Sequence, residues 1–535
     1  MRILLVCPEY PDTFWSFKHA LRFVSKSAGQ PPLGLLTVAS LLPAEWEKRL
    51  VDLNLEPLTP EDLRWADYVF LGGMGVQAES ARRVIERCNE TGTKVVAGGP
   101  LFTARHQEFQ GVDHFVLNEA EITLPPFLND LRCGNPKHLY STTEWADLTT
   151  TPVPMWDLIE PKRYATMNIQ YSRGCPYDCE FCDITVLFGR RPRTKSTDQV
   201  IAEMDAVYRT GWRGHLFFVD DNFIGNREKL KKDVLPRIIR WMEEHGHPFS
   251  LGTEASLNLS DDPLLLDLMA QAGFEEVFVG IESPNVENLE ECKKTPNRNR
   301  DLLASVRTLQ KAGLQVQAGF IVGFDSDSPS TFDELIRFVE ESGIVVAMVG
   351  LLNAPIHSRL HERLARDDRL LHAFSGNNTD FTMNFVPRMD PGVLVDGYRR
   401  IVATLYAPGA YYRRVKGFLE AHKPLGRHQA PVEIVHVRAL LRSMLLLGVV
   451  GEGRLDYWRL VLWSLARRPR QFSTAITLAI YGFHFRRVFE LHSQTGHRPS
   501  RRIWRLARSR SVLPDPGSSR APGQAGPRTP PAPPM

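Results

Sequence analysis

Cysteine is scarce in this chain, which has seven cysteines among 535 residues. They stand at Cys7, Cys88, Cys133, Cys175, Cys179, Cys182 and Cys292. So few thiols in a chain of this length exclude the disulfide scaffold on which small secreted domains rely. We therefore expect a reducing compartment and a cytoplasmic protein.

Uninterrupted apolar runs of membrane-spanning length are also missing. The longest candidates, 443–450 and 472–485, fall short of the roughly 20 residues that a helical span requires. The apolar run at residues 2–6 is too short for the core of a signal peptide and predicts a first strand. Hydrophobic residues make up 43% of the chain and charged residues 24%. This composition is typical of globular domains with sizeable cores.

Three of the seven cysteines, Cys175, Cys179 and Cys182, form a Cys-x-x-x-Cys-x-x-Cys motif, and Phe181 precedes the third. Zinc sites normally use four Cys or His ligands, whereas a 4Fe-4S cluster held by three thiolates keeps one iron free for an outside ligand. No fourth Cys or His stands nearby in the sequence. A disulfide or a zinc knuckle is the alternative, but three clustered thiols are odd in number for bridges. The trio therefore predicts the ligands of a catalytic iron-sulfur cluster.

This motif resembles that of the radical S-adenosylmethionine (radical SAM) superfamily. The resemblance implies that the three cysteines hold a 4Fe-4S cluster whose free iron binds the amino and carboxylate groups of SAM. It also implies an electron donor of the flavodoxin or ferredoxin type.

Residues 1 to about 130 alternate between short apolar runs and helical segments. Five runs predict strands, at residues 2–6, 50–53, 68–71, 94–97 and 114–117. They predict a doubly wound parallel sheet, in which ligands bind beyond the carboxyl ends of the strands. Five glycines fall at these ends: Gly72, Gly73, Gly75, Gly98 and Gly99. No Gly-x-Gly-x-x-Gly follows the first strand, so the usual dinucleotide fold is disfavoured.

A five-stranded sheet directly before the radical SAM motif resembles the cobalamin-binding domain of cobalamin-dependent radical SAM enzymes. The segment Gln30-Pro-Pro-Leu-Gly-Leu35 at the first long helix is part of that resemblance. The resemblance implies cobalamin contacts from the five glycines and from Glu119, which follows the fifth strand. The domain lacks an Asp-x-His-x-x-Gly motif, so no histidine of that motif is expected to ligate cobalt.

From about residue 166 the alternation resumes, after a connector rich in proline and threonine. Six runs predict strands, at residues 168–171, 216–219, 250–253, 276–281, 316–322 and 345–350. Six strands with intervening helices predict a partial (β/α)6 barrel, whose chemistry would lie at the carboxyl ends of the strands.

Residues that match the SAM-binding elements of the superfamily fall at these carboxyl ends or beside the cysteines. They are Phe181, Asp220, Asp221, Asn222, Glu254, Glu282, Ser283, Gly319, Ile321 and Gly323. The resemblance implies that the acidic segment after the second strand accepts the SAM ammonium and that Glu282 and Ser283 contact the ribose hydroxyls. It implies that the glycine-bearing fifth strand flanks the adenine. A basic segment after the fourth strand could include a partner for the SAM carboxylate, but a basic helix face is the favoured interpretation and its residues are not counted in the site: Lys293, Lys294, Arg298 and Arg300.

After about residue 365 the pattern becomes helical and rich in arginine. It looks like the carboxy-terminal domain of unknown function found in the branch that includes hopanoid 2-methylases. Between Arg438 and Arg510 fifteen arginines stand against three acidic residues, a net charge of +12 in a chain whose total is +3. With Trp458, Trp463 and Trp504 interleaved, this predicts an anionic partner surface such as lipid headgroups, while a merely solvated helical region is the alternative. The proline-rich residues 511–535 predict disorder.

The expected fold class is α/β with five parts. They are a cobalamin-binding domain (1–140), a linker (141–165), a radical SAM partial TIM barrel (166–365), a mostly helical domain (366–510) and a disordered tail (511–535). The resemblance implies a C-methyltransferase acting on an unactivated carbon of a small-molecule or lipid substrate, with a hopanoid or isoprenoid lipid expected and peripheral contact with the inner face of the membrane. A non-methylating enzyme that forms or rearranges a ring is one alternative. A corrinoid or iron-sulfur sensor or carrier is another, and no nucleic-acid partner is expected.

Replacing any one of Cys175, Cys179 and Cys182 by alanine should abolish reductive cleavage of SAM to 5′-deoxyadenosine, because each thiolate fixes a different iron. Cys88→Ala should retain cleavage. The measurement is 5′-deoxyadenosine released by anaerobically reconstituted protein. Full cleavage by the triple alanine variant would rule the cluster assignment out.

Overall fold

The computed structural model describes residues 1–371, 375–377, 379–424 and 434–494. Within these ranges the chain forms two parallel six-stranded sheets and one two-stranded ribbon. The strands are β1 (Arg2–Cys7), β2 (Glu47–Asp52), β3 (Tyr68–Gly72), β4 (Lys94–Gly98), β5 (His114–Val116), β6 (Leu139–Tyr140), β7 (Met167–Ile169), β8 (Ser172–Arg173), β9 (Arg193–Thr194), β10 (His215–Phe218), β11 (Ser250–Glu254), β12 (Phe274–Glu282), β13 (Gln315–Val322) and β14 (Ala347–Leu351).

The helices of the first two thirds of the chain lie mostly between strands. They are α1 (Lys18–Leu21), α2 (Leu33–Leu41), α3 (Pro60–Trp65), α4 (Ala78–Thr91), α5 (Pro100–Arg105), α6 (Ala120–Arg132), α7 (Ile184–Leu187), α8 (Thr197–Arg209), α9 (Arg227–Lys229), α10 (Leu235–Glu244), α11 (Pro263–Ala272), α12 (Val286–Glu291), α13 (Leu302–Lys311) and α14 (Pro329–Ser342). The later region is helical: α15 (Arg359–Arg366), α16 (Pro391–Tyr406), α17 (Pro408–Ala421), α18 (Ile434–Leu445), α19 (Arg454–Arg467) and α20 (Phe472–Gln494). Leu446–Val450 forms a π-helical turn between α18 and α19.

The first sheet has the strand order β2-β1-β3-β4-β5-β6, and all its pairs are parallel. Alternate residues of β1 enter different hydrophobic layers: Ile3 and Leu5 on one face, Leu4 and Val6 on the other. Burial on both faces is typical of a parallel sheet covered by helices. The predicted doubly wound sheet is confirmed, and the structure adds β6, whose two residues are too few to produce a periodic pattern.

The second sheet has the order β7-β10-β11-β12-β13-β14, again parallel throughout. These are the six strands predicted for the partial barrel. The carboxyl ends of the two sheets meet through residues of the linker and of the cysteine-bearing segment. Tyr164 donates its hydroxyl to Asp52 at 3.1 Å, and Arg173 pairs with Glu121 at 2.9 Å. Residues near the carboxyl ends of the two sheets are therefore directly connected.

The helical region packs against the loop after β1 and against β14, the last strand of the second sheet. The ring of Phe485 in α20 stacks on Phe14 with centroids 4.1 Å apart, and His484 Nε2 lies 3.0 Å from the Phe14 carbonyl oxygen. Tyr398 and Tyr406 of α16 donate hydroxyls to strand β14, at the Val349 and Ala347 carbonyl oxygens. The predicted mostly helical character is confirmed for the described part. Trp504 and the predicted disordered tail lie outside the described residues.

None of the described helices combines the length and the apolar character that crossing a membrane requires.

Two of the predicted cobalamin-loop glycines offer a matched test of packing. A Cβ atom on Gly98 would lie 2.5 Å from the Val116 carbonyl oxygen, whereas one on Gly75 would meet no atom within 4 Å. Gly98→Ala must push neighbouring strands apart, at a cost of about 1–3 kcal/mol for overpacking. It should lower the midpoint of thermal unfolding, and Gly75→Ala should leave it unchanged. Equal midpoints for the two variants would contradict this packing.

Candidate active site

The cysteine-bearing loop begins directly after β8, at a position where only glycine fits. Gly174 has φ = +90°, and a Cβ atom there would lie 2.9 Å from the carbonyl oxygens of both Phe188 and Gly189. The next N–H, that of Cys175, donates to the Gly189 carbonyl oxygen at 3.3 Å. The loop thus turns tightly enough to return Cys175, Cys179 and Cys182 to the barrel mouth, each partly buried and without a disulfide partner.

The acidic segment after β10 holds this loop in place. Asp220 accepts the N–H of Tyr171 at 3.1 Å and both the N–H and the hydroxyl of Ser172. Asp221 accepts the Gly174 N–H at 3.0 Å. Each of these groups was predicted to accept the SAM ammonium. The structure gives Asp220 a loop-anchoring role, and its contact with SAM stays a prediction.

Asn222 touches the motif directly. Its Nδ2 lies 3.8 Å from Cys175 Sγ, and its Oδ1 accepts the Ser256 N–H at 3.2 Å. Amide donors near an iron-bound thiolate are one means by which proteins tune a cluster's potential. Asn222 therefore lies where it would influence both the cluster and the loop after β11.

A second set of charges ties the loop to the helical region. Glu180 receives two hydrogen bonds from Arg363 of α15, at 2.7 and 3.0 Å, and Asp178 pairs with Arg359 at 2.6 Å. Arg363 also donates to Asp325, at 2.8 Å. Bidentate guanidinium–carboxylate pairs fix geometry as well as charge. The cysteine loop is therefore clamped between the barrel and α15.

Three carboxyl groups crowd the carboxyl ends of β10 and β11. Burial, with repulsion between neighbours, raises the pKa of Asp220 to about 7, that of Asp221 to about 6 and that of Glu254 to about 8. Among the described residues none hydrogen-bonds the Glu254 carboxylate. A cation bound here would relieve the repulsion. The arrangement suits the ammonium group of a ligand.

Glu282 lies at an irregularity at the end of β12. Pairing with β13 skips from Gly280 to Glu282, whose φ is +65°. Its carboxylate accepts a hydrogen bond from Lys294 Nζ at 2.6 Å, and both side chains are largely buried. A Cβ atom on Gly280 would lie 2.6 Å from that same Nζ. Gly280 therefore leaves room for the pair.

Among the four basic residues that the sequence offered after the fourth strand, Lys294 is the one that the structure places beside Glu282 and the cysteines. Burial alone would lower its pKa, but Glu282 and the nearby Cys179 outweigh burial and raise the pKa. In the other direction, burial raises the pKa of all three motif thiols, and Lys294 opposes that shift in each. A buried cation beside three thiols favours their thiolate form. Lys293, its neighbour, is exposed.

The other predicted SAM residues are placed as follows. Ser283 is fully buried, and its hydroxyl accepts hydrogen bonds from Asn285 N–H and Asn288 Nδ2. Phe181 and Ile321 border the same small hydrophobic cluster. Gly319 lies in β13 and pairs with Gly280 of β12. Gly323 is the first residue after the end of β13. The structure thus brings Phe181 near β13, while the Ser283 hydroxyl bonds within its own turn, and the contacts of these residues with SAM stay predictions.

The predicted cobalamin glycines line the loops after β3 and β4. A Cβ atom on Gly99 would lie 3.8 Å from both the nitrogen and the oxygen of Gly73, so the two backbones run close together. A Cβ on Gly72 would meet Leu35 at 3.0 Å. Glu119 behaves differently, because Arg173, Arg193 and the Ala146 N–H occupy its two oxygens at 2.8–3.0 Å. Glu119 joins the first domain to the ribbon of β8 and β9, and its contact with cobalamin stays a prediction.

Within the part of the chain that the structure describes, no group of three or more His, Cys, Asp or Glu residues is arranged to hold a metal ion. A cubane cluster differs from such a site, because each cysteine binds its own iron.

Two regions of the chain match models of known protein families. A model of the radical SAM superfamily matches residues 169–339, and a domain of unknown function, DUF4070, matches residues 358–497. The hopanoid C-2 methylase of Rhodopseudomonas palustris is 34% identical over 87% of this chain and 90% of its own length. The chain belongs to the radical SAM superfamily, in the branch of that methylase. An uncharacterised methyltransferase of Synechocystis sp. is 40% identical over 92% of this chain and 93% of its own. The predicted enzyme class, a radical SAM methyltransferase with a 4Fe-4S cluster and SAM, is confirmed.

Solved structures agree with the fold of this radical SAM methyltransferase. TsrM from Kitasatospora setae, with cobalamin and a [4Fe-4S] cluster bound, covers 92% of this chain and 99% of its own at 15% identity and a TM-score of 0.57. The cobalamin-dependent enzyme OxsB covers 92% of this chain and 80% of its own at 14% identity, also with a TM-score of 0.57. The two-sheet arrangement with a helical region is therefore shared beyond sequence similarity.

Lys294→Met should reduce SAM cleavage at least about tenfold and lower thermal stability, because losing one partner of a buried ion pair costs about 3–5 kcal/mol. Lys293→Met is the control and should change neither. The double variant Glu282→Gln/Lys294→Met removes both charges and should recover stability without recovering cleavage. Wild-type cleavage in Lys294→Met would contradict a role for this cation.

Cys133, which is exposed, provides a further control for the cysteine variants: its replacement by alanine should leave SAM cleavage unchanged.

Proposed function

We propose that this radical SAM methyltransferase uses cobalamin and methylates an unactivated carbon of a polycyclic hydrophobic lipid of the hopanoid type. The observation that carries the substrate class is the similarity to the hopanoid C-2 methylase, which extends over nearly the whole of both chains. The site's own residues support the proposal in three respects: the first sheet's edge, the carboxylate cluster and an aromatic wall.

The edge of the first sheet suits a flat macrocycle. Gly73 and Gly99 bring two backbone loops together with no side chain between them, and Gly75 faces open space. Such a bare surface admits close approach of a large planar ligand. The glycine loops would hold cobalamin, which when bound supplies the methyl group. The similarity of fold to cobalamin-bound TsrM and OxsB is in keeping with this assignment.

The barrel mouth suits SAM. Asp221 and Glu254 would bind its ammonium, Glu282 would accept a hydrogen bond from its ribose, and Ile321 of β13 would flank its adenine. The cluster held by Cys175, Cys179 and Cys182 and the bound SAM would supply radical chemistry, with the electron coming from a flavodoxin- or ferredoxin-type donor. The protein's part is to orient these groups and keep water from the substrate radical.

An aromatic wall faces the interior of the barrel. Phe278 lies on the same face of β12 as Gly280 and Glu282, and its ring end would lie 3.0 Å from a Cβ atom on Gly319. Trp15, from the loop after β1, meets the ring of Phe278 edge-on at 4.9 Å and is 44% exposed. An aromatic pair of which Trp15 is exposed and Phe278 partly buried would provide an apolar contact for a hydrocarbon ring system. The loop that brings Trp15 there belongs to the first domain, so both domains would contact the substrate.

Anaerobic turnover with methyl-labelled SAM, cobalamin, a chemical reductant and a hopanoid tests the proposal. Label should enter the lipid, and each product should be accompanied by equal amounts of 5′-deoxyadenosine and S-adenosylhomocysteine, because one SAM yields the radical and another the methyl group. Omitting cobalamin should abolish product. Label transfer without cobalamin would overturn the cofactor assignment, and ring formation without label transfer would favour a non-methylating enzyme.

Trp15→Ala should raise KM for the lipid about tenfold or more, since burying a large aromatic surface contributes about 2 kcal/mol. SAM cleavage measured without lipid should not change. Trp65→Ala is the control, because Trp65 packs against Arg49 at the edge strand of the first sheet. Equal KM values for both variants would remove Trp15 from the substrate site.

A further inference from the structure

Exposed apolar side chains are concentrated in one short region of the molecule. Of the nineteen large apolar side chains exposed in the described part of the chain, ten lie within residues 434–465. This region is the helical hairpin formed by α18, the π-helical turn and α19. Six members are Ile434, Val437, Leu441 and Leu445 on α18 with Leu455 and Leu462 on α19, which we call the outer stripe.

The outer stripe lies opposite the faces that the hairpin buries. At about 100° per residue, residues 434, 437, 441 and 445 fall on one side of α18. The buried residues Ala439 and Ser443 lie on the other. In α19, Leu455 and Leu462 lie opposite the buried Tyr457 and Ser464. Both helices are therefore apolar on the side that faces away from the protein core, the reverse of an ordinary surface helix.

Arginines accompany the stripe. Residues 434–470 contain seven arginines and two acidic residues. All seven arginines are exposed. Arg438 follows Val437 on α18, and Arg459 lies between Leu455 and Leu462 on α19. An apolar strip flanked by basic side chains matches an interface between acyl chains and anionic headgroups.

We propose that the outer stripe docks this enzyme onto the surface of an anionic lipid bilayer, from which the substrate enters the site. The inference rests on the proposed lipid substrate. Charge complementarity selects the bilayer: arginines beside apolar side chains suit anionic headgroups above acyl chains.

The hairpin is joined to the loop that reaches the barrel. Arg442 donates to the Arg22 carbonyl oxygen at 2.6 Å and to Ser25 Oγ at 2.9 Å. These residues follow Trp15 in the loop after β1, and Trp15 contacts Phe278 inside the barrel. The proposed docking surface is therefore in direct contact with the segment that also carries Trp15.

Flotation of the full-length holoenzyme with vesicles tests the docking surface. Vesicles of phosphatidylcholine alone are compared with vesicles that also contain phosphatidylglycerol, at low and high salt. Binding should need phosphatidylglycerol and weaken with salt. Leu441→Ser/Leu445→Ser should weaken vesicle binding at least about tenfold, because two apolar anchors are lost. Leu264→Ser is the matched control: Leu264 in α11 is 57% exposed and Leu441 is 60% exposed.

Two readouts separate this inference from the proposed function. Circular dichroism and SAM cleavage without vesicles establish that each variant is folded, and methylation of detergent-dispersed hopanoid reports the chemistry alone. Docking is overturned if wild type ignores vesicles while methylating dispersed lipid, or if Leu264→Ser weakens binding as much as the hairpin variant. It is also overturned if light scattering finds a dimer that the hairpin variant dissolves with vesicle binding unchanged, since the stripe would then join two copies of this chain.

Discussion

The loop that carries the three cysteines is held in position mainly by hydrogen bonds to buried charged side chains. Asp220 and Asp221 accept backbone N–H groups at the start of the loop. Farther along, Arg363 grips Glu180 with two hydrogen bonds. Carboxylates in a low-dielectric interior are costly unless paired, so each must keep its partners for the fold to remain stable. The positions of the barrel strands and of α15 are thereby coupled to the position of the cysteines.

Buried ion pairs also connect the first domain with the segment that leads into the cysteine loop. Arg173, at the entrance to the cysteine loop, pairs with Glu119, which precedes α6, and with Glu121 in the first turn of α6. Although burial opposes ionisation, Arg173 holds the pKa of Glu121 below its ordinary value. The charged contacts fix the distance between the two carboxyl edges. Chemistry that needs two large cofactors near one substrate carbon depends on that fixed distance, because misplacement by an ångström is costly.

Periodicity and spacing were sufficient to predict the cysteine trio and every strand of the two large sheets except the two-residue β6, because those signals are local. The different positions of two neighbouring lysines could not be predicted from the sequence. Lys294 pairs with Glu282 in the site, whereas Lys293 is exposed. That difference depends on the irregular pairing at the end of β12, which no local pattern reports. Glu119 was expected at a ligand because of its place after a strand. Its arginine partners lie 54 and 74 positions away, beyond the reach of sequence spacing.

The contact between Phe14 and α20 has a consequence for how the protein is made. The hydrogen-bonded pair Phe14 and His484 is separated by 470 positions in the chain. At ribosomal speeds, the second partner emerges roughly half a minute to a minute and a half after the first. During that interval the aromatic residues of the loop after β1 have no helix to cover them. During synthesis there is therefore a period in which the first domain is nearly complete but exposes aromatic side chains that favour aggregation. The length of that period depends on the rate of translation.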